Sequence, residues 1–84
     1  MKQLDGFDSA IVGTIDVCGA PTRLAYNVEE ILYVLQTQHG MSAEGAREYF
    51  EYNILGAYIG EDGPVYLTFV PYDEIEGIYE AENI

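Results

Sequence analysis

NVEEILYVLQTQHGMSAEGAREYFEYNILG, residues 27–56, is the stretch whose reading decides the fold. It divides into two helices about His39-Gly40. Asn27 and Glu30 have the N-cap and N3 spacing of a capping box, and Glu29 and Glu30 suit the positive end of a helix. Val28, Ile31, Leu32 and Leu35 recur at i, i+3, i+4 and i+7, an apolar stripe that must face a core. His39-Gly40 closes this helix, because Gly is favoured just past a helix end and His suits its negative pole. Ser42 then caps a second helix, with Glu44 in its first turn and Met41 placed to staple onto it. Its expected apolar face is Ala43, Ala46, Phe50 and Ile54; Glu44, Glu48, Glu51 and Leu55 lie opposite. Arg47 is within helical reach of Glu44 and Glu51, a pairing worth only about 0.2–0.5 kcal/mol. Asn53 falls near the apolar side, one turn before Gly56 ends the helix, and is read as a partner for backbone groups at that junction.

Upstream, Asp5-Gly6 marks a turn and Phe7 is expected to anchor the arm on the core. From Ala10 the chain alternates, with Ile11, Gly13, Ile15 and Val17 on one face and Val12, Thr14 and Asp16 on the other. Gly13 inside the run suggests a bulge or a close contact. Cys18-Gly19-Ala20-Pro21 breaks the pattern, and Thr22, Leu24 and Tyr26 resume it, so a β-hairpin is expected. Downstream, residues 57–60 read as a strand, Glu61-Asp62-Gly63-Pro64 as a tight turn and Val65–Val70 as the returning strand, ended by Pro71. Residues 71–84 form an acidic C-terminal tail or a short helix, weakened by Gly77. The expectation is one α+β domain over residues 1–84, of order ββααββ, with an antiparallel sheet from two hairpins and the helix pair on one face. A chain this short buries roughly 60–65% of its unfolded surface, so the core is thin. About half of the eight Tyr are expected in it, since Trp is absent.

No catalytic apparatus is visible, and a non-enzymatic protein is expected. Cys18 and His39 are the single residues of their kinds, and Ser42 reads as a cap. One Cys and one His make no ordinary zinc site, and Asp5 with Asp8 reads as a solvated turn before it reads as a weak cation site. No phosphate loop is present, and Gly56 with Gly60 matches a membrane-helix motif only by accident. No cofactor or metal is therefore expected. The lone Cys18 favours a reducing, cytoplasmic setting, and no apolar run suggests a signal peptide or a membrane span.

Charge restricts the partners further. Fifteen acids against three bases give a net charge of −12, and from Glu48 to Ile84 there are nine acids and no base. Such a surface repels nucleic acid and anionic membranes and attracts a basic protein, itself of a kind that binds nucleic acid; the same balance also serves solubility alone. The candidate protein-binding residues are Glu44, Glu48, Glu51 and Tyr52 on the second helix. Glu61, Asp62, Tyr72, Asp73, Glu74, Glu76, Glu80 and Glu82 join them on the last turn and tail. A monomer or small homo-oligomer is expected.

The segments DGFDSAIVG (5–13), VCGAPTRLAY (17–26), MSAEGAREYFEYNILGAYIGE (41–61) and GPVY (63–66) resemble a family of short uncharacterised proteins of bacteriophages and bacterial genomes. Its pattern is an Asp-Gly-Phe/Tyr-Asp start, a Cys-Gly turn, and a Met-Thr/Ser-x-Glu-x-Ala-x-Glu-Tyr-Phe helix running into Asn-x-x-Gly-Ala and Gly-Glu-x-x-Pro. The resemblance covers most of residues 5–66 and leaves the tail outside it. It implies a phage-type accessory protein in the host cytoplasm and brings no activity. By analogy with other small acidic phage proteins, a DNA-mimic inhibitor is the sharp form of that expectation. A virion or assembly component and a small-ligand module with a pocket near Asn53 and Tyr26 are the alternatives.

Overall fold

The computed structural model describes residues 1–57 and 59–82. A single turn of 3-10 helix at Asp8–Ala10 leads into β1 (Ile11–Ile15), followed by β2 (Arg23–Asn27), α1 (Val28–Gln38) and α2 (Ala43–Tyr49). α2 runs on into a π-helical segment at Phe50–Leu55, and β3 (Val65–Leu67) and α3 (Tyr72–Glu82) complete the chain.

The first hairpin forms as its alternation requires. β1 and β2 pair antiparallel, with Ile11 opposite Tyr26 and Gly13 opposite Ala25, so Val12 is the extra residue of a bulge. That bulge corrects the expected faces. Paired residues share a face, so Ile11 lies on the core side with Tyr26, while Gly13 and Ile15 join Ala25 and Arg23 on the other. The connecting loop is closed by the Ala20 amide donating to the Val17 carbonyl, 3.0 Å, and by the Thr22 hydroxyl donating to Asp16, 3.0 Å.

The first helix keeps its expected boundaries, and the second gives way to π-helix after Tyr49. Both N-cap residues act as caps, Asn27 on the Glu29 amide without the capping-box contact expected of Glu30. The Asn27 side chain accepts from the Glu29 amide at 3.1 Å, and the Ser42 hydroxyl accepts from the Gly45 amide at 3.0 Å. Gly40, at φ +67°, turns the chain after α1, and the Met41 amide donates back to the Leu35 carbonyl at 3.2 Å. Val28, Ile31, Leu32 and Leu35 are all buried, and Val34 is buried beside them. In α2 and its extension, Ala46, Phe50 and Ile54 are buried, whereas Ala43 is exposed at the first turn.

The C-terminal half departs from expectation. Among the described residues there is no second hairpin: Ala57, Ile59 and Gly60 carry no strand, and Tyr58 lies outside the described residues. The one later strand, β3, covers Val65–Leu67 rather than Val65–Val70, and it pairs parallel to β2, with Tyr66 beside Tyr26. The sheet is therefore mixed, in the order β1-β2-β3, and the order ββααββ gives way to ββααβα. A parallel pair needs a long crossover, and α1, α2 and the π-helical segment supply it.

Both helices pack on one face of this sheet. Tyr26 is wholly buried among Val28, Ile31, Leu32, Leu35, Ala46, Phe50 and Ile54, and its hydroxyl accepts from the Leu4 amide at 2.9 Å. Phe7 and Met41 pack against this core, as expected of an anchor and a staple. Tyr66 closes it, stacked edge-on against Phe50 with ring centroids 5.5 Å apart. Tyr33, Tyr49, Tyr52 and Tyr72 are all exposed, so among the described tyrosines the core takes Tyr26 and Tyr66.

Candidate functional site

The outer surface of α2 and the π-helical segment is built by a local conflict. An apolar row at 46, 50 and 54 repeats every four residues, and each step overshoots a 3.6-residue turn by about 40°. The wider turn over Phe50–Leu55 takes up that overshoot and keeps Phe50 and Ile54 in the core. The Gly56 amide donates to the Glu51 carbonyl, 3.0 Å away and five residues back. A Cβ at Gly56 would lie 3.0 Å from that carbonyl oxygen and 3.2 Å from the Tyr52 carbonyl oxygen, so glycine ends the turn for lack of space. The residues opposite the core are presented together: Glu44, Glu48 and Glu51 are exposed, as are Tyr49 and Leu55, and Tyr52 is 79% exposed. Asn53 is exposed as well, which places it away from the junction role expected of it.

The basic groups are largely drawn elsewhere. The Lys2 ammonium donates to the Ile59 carbonyl and pairs with Asp62 at 3.3 Å; the N-terminal ammonium reaches the same carboxylate at 3.4 Å. Arg23 donates from Nε to the Gly63 carbonyl at 2.6 Å and from Nη2 to the Pro64 carbonyl at 3.4 Å. Three positive groups thus clamp the 59–64 loop, and among the described residues the ion pairs gather at Asp62. Partial desolvation pulls the Asp62 carboxyl upward. The hydrogen bond and charge of Lys2, the N-terminal ammonium and a backbone bond outweigh it, so its pKa lies below the ordinary value. Asp62 is therefore a loop anchor rather than a free contact residue. Arg47 is exposed on α2.

Of the remaining candidates, Glu61 is exposed on the clamped loop, and Tyr72, Asp73, Glu74 and Glu76 are exposed on α3. Glu80 and Glu82 lie in α3, and their side chains fall outside the described ones. The α2 row and the α3 row are separate surfaces on separate elements. The apolar positions of α3 are missed when the tail is read by its charge alone. The signal was present in their spacing, since Tyr72, Ile75 and Ile78 recur every three residues.

An open cleft of about 360 Å³ lies between the end of the π-helical segment and the clamped loop, lined by Arg23, Leu55, Ala57, Ile59, Pro64 and Tyr66 among others. It is displaced from the expected position near Asn53, and Tyr26 is buried in the core instead of lining it. Burial pushes the Tyr66 phenol up, repulsion from Tyr26 adds to this, and the Arg23 charge partly opposes it. Cys18 is exposed in the hairpin loop and His39 at the C-terminus of α1, two different elements. Among the described residues no three His, Cys, Asp or Glu gather as metal ligands, and no helix is long and apolar enough to cross a membrane. No protein-family model, curated protein or solved structure matches the chain.

Proposed function

We propose that this chain is a non-enzymatic accessory protein that binds a basic protein through its acidic surface. The observation that carries the reading is the segregation of charge. The N-terminal ammonium, Lys2 and Arg23 are spent on the 59–64 loop, while Glu44, Glu48 and Glu51 stand exposed on one side of α2 and its extension with Tyr52 and Leu55 among them. Three carboxylates against one base on that helix, Arg47, steer a cationic partner, and an exposed tyrosine offers contact area at small entropic cost.

DNA mimicry is the sharper form, and the phage context implied by the sequence resemblance belongs to it. Glu44, Glu48 and Glu51 form a row of negative charge suited to one basic patch of a nucleic-acid-binding protein in the host cytoplasm.

The test is capture from a cell lysate on the immobilised chain, at low salt and again at about 0.5 M, where the Debye length shrinks to about 4 Å. A nucleic-acid-binding protein held at low salt, released at high salt and lost with Glu44→Gln/Glu48→Gln/Glu51→Gln is the expected result. Capture indifferent to salt and to these substitutions, or no basic protein captured, overturns the reading.

A further inference from the structure

α3 is a helix without a described packing partner. Residues 71–78 are all exposed, with Tyr72 at 79%, Ile75 at 46% and Ile78 at 53%, and Phe69 just before it stands 65% exposed. At 100° per residue, Tyr72, Ile75 and Ile78 fall within a 120° arc, the width of a face that ordinarily meets a core. Glu76 flanks this arc on one side, and Glu74 flanks it on the other; Asp73 lies beyond Glu76. The radius of gyration agrees with a projecting element: 14.3 Å against about 12 Å for a compact chain of this length.

We infer that α3 is a recognition helix that docks its Tyr72–Ile75–Ile78 face onto an apolar groove bordered by Lys or Arg on a partner protein. This deepens the proposed function and rests on it, since the partner is again basic. It adds that the decisive contact is apolar and is made by a helix other than α2. Charge complementarity selects the occupant. Acids border both sides of the apolar arc and no base follows Arg47, so a second copy of this chain would bring carboxylates against carboxylates. A groove with a basic rim covers the apolar residues and meets the acids at once, the helix-in-groove mode.

The experiment uses the full chain and two defined probes. One is a synthetic peptide of Leu and Lys with the leucines spaced onto one helical face; the other is a lysine homopeptide of equal charge. Binding is read by titration and by amide hydrogen exchange. The Leu/Lys peptide is expected to bind about tenfold more tightly than the homopeptide and to protect amides of residues 72–78. Ile75→Ala/Ile78→Ala leaves charge intact and does not weaken the helix, and it should erase that tenfold margin while leaving homopeptide binding unchanged. Both positions are exposed, so the fold is not at stake. Equal affinity for the two peptides, a margin that survives the double substitution, or protection confined to α2 overturns the inference. So does self-association of the chain that the double substitution abolishes. Failure of the homopeptide to bind at all counts instead against the acidic-surface reading itself.

Discussion

Gly56 carries more structural weight than any other single residue of the acidic face. Its backbone angles are ordinary, φ −74° and ψ −10°, so the constraint is space and not conformation. Gly56→Ala sets a methyl against two carbonyl oxygens at 3.0 and 3.2 Å, neither of which can move without opening the wide turn. The substitution should lower stability by about 1–3 kcal/mol, read as a fall in the urea midpoint with unchanged slope. Tyr66 makes a second residue-scale prediction. Its folded pKa is raised above the ordinary value of 10.0, chiefly by burial. The unfolded chain therefore releases this proton at a lower pH than the folded chain does. The phenol's contribution is fully present below pH 10 and is lost as pH rises toward the folded pKa. In an alkaline titration followed by tyrosinate absorbance, Tyr66→Phe should remove a late-ionising component.

Among the elements, α3 is the one that local chemistry supports without tertiary help. Asp73 and Glu74 sit in its first turn, where the helix dipole favours acids, and Pro71 precedes it. An isolated helix of 11 residues is nonetheless marginal in water. Amides of residues 72–78 should therefore exchange orders of magnitude faster than those of α1, whose apolar stripe is buried. Gly77→Ala meets no atom within 4 Å and should strengthen α3 by about 1 kcal/mol, seen as added helical ellipticity without any shift in the global urea midpoint. A global midpoint that moves with Gly77→Ala would show that α3 packs on the domain. β3 is the opposite case. Its three residues hold their place by pairing with β2 and by the contact of Tyr66 with Phe50, neither of which is local in sequence.

For the whole molecule, the governing quantity is the net charge of −12 on a thin core. Self-repulsion of that size works against the compact state, and among the described residues the attractive pairs sit at Asp62. Salt should therefore stabilise the fold. Between about 10 and 150 mM the Debye length contracts from about 30 Å to about 8 Å, and Tm should rise by about 5 °C. A Tm that falls with salt would mean that the Lys2–Asp62 clamp outweighs the repulsion.

The first hairpin, the Asn27 and Ser42 caps and the end of the helical run at Gly56 were legible in the residues alone, because each depends on residues within a few positions of one another. Legible too was the overwhelmingly negative sign of the exposed charge, since composition alone sets that sum. The parallel pairing of Val65–Leu67 with β2 came from the fold, because it closes over the whole helical crossover and nothing in a three-residue strand specifies its partner. The fold also set the exposure of Tyr72, Ile75 and Ile78 and the hold of Lys2 on Asp62. Burial and ion pairing are properties of what lies alongside a residue, and for these residues the neighbours come from the far ends of the chain.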